Sequence, residues 1–471
     1  MALSTAHLRA HLTLVVSVMS QPSQQIAARY HLCLSDAWRQ WFDEDVACVR
    51  LPGGFRAPLT AEQLIRQAPR EIWPGFMLPY TLPLVGNQYG DWICVCVGPD
   101  GSLGELLHWY HGGGDWIPLG SDIAEVIVHD VVDHFRPVGG QMLRGAPESI
   151  EPEQRARVLV TFQEPALRTW LCERLSASSE DQSATTIAVA QALENIEQAL
   201  GCGAYLDALQ VMHQRTWAMD AVACDRIQFV LQHGTVKMSD PAIARALGMN
   251  WSPDFVRWLF DLDQIPQSAR ARFAELSGGG AELWDQQDWT LAGELACEVL
   301  DRRYDLGWAV NVAGWSRQRN GNAAGAAEIY FEGRYASAFS DQGVRMRTHW
   351  ADARYGKFTI AQLSELHDYL TTEQQGDPYL QAICKNSEGR TVKRVQNFWL
   401  DESHRLSGEQ YFEGANWHLV RAGWDVGVEH LGDYRTILES LVVAARAAGW
   451  EARQAVAQTH LDCFLRGYDI S

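Results

Sequence analysis

The sequence predicts an α+β domain in the N-terminal third, with a small antiparallel-type sheet flanked by helices, followed by a mostly α-helical C-terminal region built as an array of helix pairs. Three observations carry this prediction. Apolar residues recur at helical spacing over residues 26–42, short apolar runs bounded by turn residues fill residues 76–111, and helical spacing dominates from residue 152 onwards.

The opening segment has the spacing of one or two amphipathic helices. Its large apolar residues stand three and four positions apart: Ile26, Tyr30, Trp38, Trp41 and Phe42. Ser35 or Asp36 can cap the second helix, so we expect a break between the two helices at this point.

Residues 76–111 change from helical spacing to strand signals. The runs "FMLPYTLPLV", "DWICVCVG" and "GELLHWYH" are separated by "GNQYG" and "GPDGSLG", and such clusters of Gly, Pro, Asn and Asp mark turns. Helical spacing resumes at Ser121, which can cap a closing helix that runs to Phe135. Helices and sheet together are predicted to form one domain over residues 20–137.

The rest of the chain divides at two stretches rich in Gly and polar residues. Residues 138–151, "VGGQMLRGAPESIE", are predicted as a linker, and "LSGGGAELW" separates helical subdomains over residues 152–275 and 281–471. The strings "YFEG" and "AGW" recur without a fixed period, which indicates a helical array rather than a recognised repeat.

The chain is acidic, with 58 Asp and Glu against 39 Lys and Arg and a formal net charge of -19 over 471 residues. This charge repels phosphate backbones and attracts a basic protein partner, although solubility alone is the simpler explanation. The contents of 47% hydrophobic and 21% charged residues are those of an ordinary folded protein.

Cysteine usage and the N-terminal segment bear on location. Ten cysteines without a CxxC pair indicate free thiols in a reducing compartment. The apolar run from Leu12 to Met19 is short for a signal sequence and far too short to span a bilayer. We expect a cytoplasmic protein that does not enter the membrane, with a cleaved signal as the alternative and Met19 as a second candidate start. The chain has only four lysines, and this low number favours a bacterial source.

Residues 111–114 spell HGGG, a string that supplies an oxyanion-hole N–H in some esterases. Those enzymes also need a GxSxG elbow, which this sequence lacks. A metal on His108, His111 and Asp115 would need a local distortion, because strand side chains three apart point to opposite faces. With no HExxH, P-loop or GxGxxG after a strand, we predict no metal, no cofactor and no catalytic residue.

The segment "SDPAIARALGMNWSPDFVRWLFDLDQIP" has the outline of a helix-turn-helix reader of DNA. Its two arginines are outnumbered by acidic residues, so it offers no basic surface to phosphates. We therefore predict two ordinary packed helices and no nucleic-acid partner.

Two segments of the first domain carry a resemblance to a known family. "IAARYHLCLSDAWRQWF" has the form of two opening helices, with Leu34 and Ser35 where a Leu-Pro pair is common. In "LPYTLPLVGNQYGDWICVCVGPDGSLGELLHWYHGGGDWIPLGSDIAEVI", a Pro-containing strand leads through a Gly-Asp turn to an apolar strand, a Gly hairpin, a Trp-bearing strand, a loop and a closing helix. This order resembles the SUKH superfamily, small α+β domains that include fungal cell-wall regulators and bacterial toxin-immunity proteins.

The resemblance implies a place for each strand. It puts the first strand and its turn at Pro83, Gly90 and Asp91, the second strand at residues 92–97 and the third at residues 105–109. HGGG would then be the loop between the third strand and the closing helix.

The resemblance also implies a binding protein. Bacterial members act as antitoxins that occlude toxin domains, often basic nucleases, and an acidic chain with 19 tryptophans suits that role. Our leading hypothesis is a non-enzymatic immunity protein that neutralises a toxin by direct contact. The candidate partner-binding residues are Asp91, Trp92, Trp109, His111, Asp115 and Trp116.

Two other hypotheses stay open. A regulatory scaffold would recruit partners through residues 152–471, as the fungal members of the family suggest. An enzyme site in the helical region would draw on Asn311, Arg317, Glu328 and Glu332, which lie within helical reach of one another, although polar residues on a helix face are usually solvated.

Overall fold

The computed structural model describes residues 21–43, 51–66, 76–111, 114–136, 152–177, 185–232, 288–341, 355–384 and 391–468. Over these ranges it confirms the predicted fold class, an antiparallel sheet in the N-terminal region followed by helices. The predicted linker, the break near residue 280 and the helix-turn-helix-like segment lie outside the described residues.

The sheet is antiparallel, and its strands lie side by side in chain order. The strands are β1 (Ala57–Pro58), β2 (Thr81–Gly86), β3 (Trp92–Val97), β4 (Leu103–Trp109) and β5 (Trp116–Gly120). Simple hairpins connect β2 to β5, and Gly90 and Gly101 take positive φ angles of 90° and 82° in the first two turns. The boundaries of β3 match the prediction, and β4 begins two residues earlier than residue 105.

One expectation was wrong: the HGGG stretch does not lead directly into the closing helix. A further strand, β5, intervenes and pairs with β4 through Trp109 opposite Trp116. Its five residues include Pro118 and Gly120, which weaken a strand pattern in the sequence, but an edge strand tolerates Pro. The cap is also different, because Asp122 rather than Ser121 accepts a hydrogen bond, at 2.8 Å, from the Ala124 amide.

Helices α1 (Pro22–Tyr30) and α2 (Asp36–Asp43) open the described chain, as predicted. The amide of Trp38 donates to Ser35 Oγ at 3.4 Å, which confirms Ser35 as the cap. A short α3 (Ala61–Ile65) precedes β2, and α4 (Ile123–Asp133) follows β5.

The remaining helices pack mainly against their neighbours in the chain, α16 with α17 and α18 with α19 among them. Their bounds are α5 (Pro152–Phe162), α6 (Pro165–Ala177), α7 (Thr186–Gly201), α8 (Tyr205–Gln214), α9 (Met219–Gln232), α10 (Trp289–Leu300), α11 (Gly307–Arg319), α12 (Ala323–Glu332), α13 (Phe358–Glu365), α14 (Thr372–Gln375), α15 (Pro378–Cys384), α16 (Thr391–Gly408), α17 (Phe412–Trp424), α18 (Leu431–Ala447) and α19 (Glu451–Gly467). Within the described ranges, no helix combines the length and the apolar character needed to cross a bilayer.

Helices cover the sheet on both faces. One face packs against α4 and α9, and the other faces the C-terminal helices α17 to α19. The indoles of Trp109 in β4 and Trp424 in α17 both donate to the Phe76 carbonyl, each at 3.2 Å. The buried apolar residues form one cluster that runs from α1 to α19, so the three predicted domains share a continuous core.

Candidate functional site

The three predicted tryptophans form one row across the sheet. Trp92 lies opposite Trp109, and Trp109 lies opposite Trp116, so all three side chains share the face that meets the C-terminal helices. Trp109, at the centre, is 1% exposed. Trp116 stacks on Phe339, with ring centroids 6.1 Å apart. The row therefore already has a partner in the same chain, and the side chain of Trp109 is closed to any other protein.

Asp91 stands in the turn between β2 and β3 and is 8% exposed. Its Oδ1 accepts from the amide of His111 at 3.0 Å and pairs with His111 Nδ1 at 2.8 Å, while Asn87 Nδ2 donates to Oδ2 at 3.0 Å. Burial alone would raise the pKa of Asp91, but hydrogen bonds and charge from His108, with His111 and Asn87, hold it well below its usual range. This carboxylate ties two turns at one end of the sheet together.

The structure also shows where the other predicted residues of this end lie. His111 follows β4 in the turn rather than in the strand, so its side chain and that of His108 both approach Asp91, with His108 Nε2 3.8 Å from Oδ2. The prediction that the two histidines point apart is therefore wrong. Asp115 is buried, and its carbonyl accepts from the Tyr110 amide at 2.8 Å. Of the predicted residues at this end, His111 offers solvent the largest polar surface, with a side chain 53% exposed.

The opposite face of the sheet borders a cavity of about 40 Å³, room for a few waters. Strand residues Ile93, His108 and Ile117 form one wall, and α4 and α9 form the other. The cavity is lined by Phe55, Ile93, His108, Tyr110, Ile117, Leu119, Val126, His129, Asp130, Asp133, Ala221 and Asp225. Half of these side chains are polar or ionisable, so the cavity is a polar pocket against an otherwise apolar sheet face.

A buried ion-pair network joins the first domain to α9 beside this cavity. His129 Nε2 lies 2.9 Å from Asp225 Oδ2, Arg136 also pairs with Asp225, and Arg136 donates to Gln228 Oε1 at 2.7 Å. Burial lowers the pKa of His129, but the hydrogen bond and charge of Asp225 more than offset this and raise it above its ordinary value. The network therefore sets the His129 imidazole and the Arg136 guanidinium against Asp225, and Arg136 pairs with Asp133 as well.

Asp130, on α4, binds the loop that precedes β1. Its carboxyl oxygens accept from the amides of Gly54 and Phe55 at 3.0 and 3.1 Å. A side chain at Gly53 would collide with this carboxyl, since a Cβ there would lie 1.9 Å from Asp130 Oδ2. Burial raises the pKa of Asp130 to about 7. Sequence reasoning missed this group; its signal was the polar pair His129 and Asp130 within an apolar helix.

A second buried network stabilises the C-terminal helices. The Asp425 carboxylate is fully buried and accepts from Tyr379 Oη at 2.6 Å and from Trp399 Nε1 at 2.7 Å. Lys357, one of only four lysines, forms an ion pair with it and donates to the Arg334 carbonyl at 3.0 Å. Burial lowers the pKa of Lys357 to about 8. The network therefore joins the C-terminal elements that carry Lys357, Tyr379, Trp399 and Asp425.

The residues considered for an enzyme site in the helical region are not gathered into a cleft. Asn311 is buried and accepts from Thr359 Oγ1 at 2.6 Å, whereas Arg317, Glu328 and Glu332 are exposed. Among the residues that the structure describes, no group of three or more His, Cys, Asp or Glu is arranged to hold a metal ion. What these clusters provide in the described chain is buried polar pairing and a small polar cavity.

Comparison of the chain with protein-family models, with characterised proteins and with solved structures finds no match in any of the three. The resemblance to the SUKH superfamily therefore stays a prediction from the sequence.

Proposed function

We propose that the chain is an interaction protein of the immunity type, which neutralises a basic toxin domain by direct contact. One observation carries the proposal: exposed aromatic side chains of the helical region stand beside exposed carboxylates. Of the thirteen large apolar side chains exposed within the described ranges, all but Tyr89 belong to residues beyond 152.

These aromatic residues have acidic neighbours close in sequence. Tyr304 follows the exposed Asp301, Tyr369 follows the exposed Asp368, and Trp417 lies one helical turn after Glu413. Tyr and Trp supply much of the binding energy at protein interfaces, and carboxylates around them speed the encounter with a basic partner. The net charge of -19 adds a long-range attraction towards a basic partner.

The location of these residues supports contact through the helical region rather than through the tryptophan row. Trp109 and Trp116 are engaged by the chain itself, so they serve the core. The proposal thus keeps the immunity function expected from the sequence and moves the contact surface beyond residue 152.

The test is growth rescue in a bacterial host. Each open reading frame adjacent to this gene is induced alone and together with the full chain. We expect one neighbour to arrest growth alone and to be silenced by the chain, with a soluble complex recovered by size-exclusion chromatography. If every neighbour is harmless, or if a toxic one stays toxic with the chain present, the immunity function is wrong.

A regulatory scaffold is the second candidate, because the exposed aromatic residues lie in the region that would recruit its partners. Deleting the first domain does not separate the two functions, since the sheet is packed between α4 and α9 on one side and the C-terminal helices on the other. A scaffold predicts cellular partners in a host where no neighbouring gene is toxic, and substitution of exposed aromatic residues would release them.

A further inference from the structure

We infer that Trp417, Glu413 and Glu402 form a surface site that takes an Arg or Lys side chain from a basic protein segment. The inference rests on the proposed function and names the surface and the partner chemistry. We call these three residues the Trp417 site.

Trp417 differs from the other tryptophans that the structure describes. It is 44% exposed, while the rest are buried or half-buried. It lies in α17, where the edge of its ring meets Trp399 of α16 with centroids 5.7 Å apart and an interplanar angle of 90°. An indole held this way presents a large surface at low cost in conformational entropy, because few side-chain torsions remain to be fixed.

The inner side of the indole is held by a cation. The Arg421 guanidinium lies 3.9 Å from the ring centroid of Trp417 and donates to the Tyr335 carbonyl, and its NH1 lies 3.8 Å from Asp425 Oδ1. The ring is therefore supported from inside by the buried network around Asp425. The solvent-facing remainder of the ring is the part that a second cation can reach.

Each of the two helices at this surface supplies a carboxylate. Glu413 is exposed one turn before Trp417 on the same helix face. Glu402, on α16, follows Trp399 by three residues, and the adjacent Ser403 donates to the Ala415 carbonyl at 2.9 Å, which fixes the two helices at the same level. The two carboxylates therefore belong to the two helices that carry the Trp417 surface, and the charge of Glu402 acts on His418, which packs on Trp417.

The local charge is negative after its internal pairs are counted. Arg405 binds Glu402 at 2.8 Å and Glu409 at 2.8 Å, so one cation is shared by two carboxylates, and Glu413 adds a third. His418 packs on Trp417 with centroids 4.9 Å apart, and burial lowers its pKa, so this imidazole is neutral near pH 7 and does not repel a cation.

This combination selects the chemistry of the ligand. The face of an indole attracts a guanidinium or ammonium group, and the carboxylates of the site pair with the same group. An acidic or phosphorylated segment would be repelled by the negative charge that remains after Arg405 is counted. The site therefore fits a cationic side chain at the centre of a basic partner surface.

The experiment measures binding of a fluorescein-labelled peptide of alternating Arg and Gly to the full chain by fluorescence anisotropy, with a Glu-Gly peptide as the charge control. The variants are Trp417→Leu, which keeps an apolar cover over Arg421 without an aromatic face, and Glu413→Gln. The matched controls are Tyr369→Leu and Asp368→Asn, another exposed aromatic residue with an acidic neighbour. Thermal unfolding checks that each variant is folded.

We expect Trp417→Leu to weaken binding of the Arg-Gly peptide about threefold to fivefold. Glu413→Gln should weaken it less, and the matched controls should leave it within error. Equal losses in the site variants and in the controls would mean attraction by overall charge alone, and the site would be refuted.

Growth rescue separates this inference from the proposed function. If a toxic neighbour is silenced equally by the natural chain and by Trp417→Leu, the Trp417 site is wrong as the contact surface while the immunity function stands. If no neighbour is toxic but the peptide result holds, the cation site stands and the immunity function falls.

Discussion

The two faces of the central sheet are covered by different chemistry. The face that carries Trp92, Trp109 and Trp116 meets C-terminal helices through aromatic contacts, and the Phe76 carbonyl receives the Trp109 and Trp424 indoles. The opposite face meets α4 and α9 through the polar cavity and the pair of His129 with Asp225. Apolar packing tolerates any partner of suitable shape, whereas buried charges require particular partners. The aromatic face therefore contributes mainly apolar burial, and the polar face also fixes the position of α9.

The largest effect should come from the centre of the aromatic face. Replacing Trp109 with Ala removes a side chain that is 1% exposed and leaves a cavity, so we expect the free energy of unfolding to fall by about 4 kcal/mol. Urea denaturation followed by circular dichroism measures this. Trp92→Ala, at the half-buried end of the row, is the control and should lower the free energy of unfolding clearly less. Equal losses in the two variants would show that burial at the centre of the row does not determine the loss.

A substitution on the polar face should lower the free energy of unfolding somewhat less than Trp109→Ala does. Asp225→Ala leaves the buried His129 ring without its partner and the Arg136 guanidinium with Asp133 alone, and we expect the free energy of unfolding to fall by about 3 kcal/mol in the same assay. The exposed pair of Asp36 with Arg39 provides the control, because Asp36→Ala should change stability little. A loss no greater than that of Asp36→Ala would mean that the network does not stabilise the fold.

The polar face should also give stability a characteristic dependence on pH. Asp130 has a pKa of about 7 in the folded chain against 3.8 for an ordinary carboxyl, so between these values the folded state holds a proton that the unfolded chain has lost. Asp130 should therefore lower the free energy of unfolding progressively as the pH rises from about 4 to about 7. His129, with a raised pKa, adds a loss as the pH rises through that pKa.

Asp130→Asn isolates this contribution, because Asn resembles the protonated carboxyl and does not titrate. Denaturation midpoints at pH 4, 5, 6 and 7 should decline less in the variant than in the natural chain. Parallel pH profiles for the two proteins would contradict a raised pKa at Asp130.

The smallest effect concerns the edge of the aromatic face. Trp116 and Phe339 stack with an interplanar angle of 14°, and a double-mutant cycle with Trp116→Ala and Phe339→Ala should give a coupling of about 1 kcal/mol. A coupling near zero would show that β5 and the segment around Phe339 meet without a specific contact. The cycle needs no external control, since the two single variants serve that purpose.

Much of the sheet could be predicted from local signals. The limits of β3 and the turns at Gly90 and Gly101 follow from apolar runs broken by residues that accept positive φ. Strand β5 could not be predicted, since Pro118 and Gly120 obscure its pattern and pairing with β4 supplies what local propensity lacks. Among the site residues, the sequence placed Asp91 in a turn and His111 in the loop after β4, without indicating that they meet, and it assigned the buried Trp109 to a contact surface.

By itself the sequence determined the two opening helices with the Ser35 cap, the apolar runs that form β2 to β4, and the acidic character of the chain, because spacing, capping and charge act over a few residues. Tertiary structure alone decided which side chains are buried and which meet. It put Asp225 beside His129, 96 positions apart in the chain, and left Trp417 open while closing Trp109. Such pairings depend on how distant helices pack, and no local pattern in a single sequence records them.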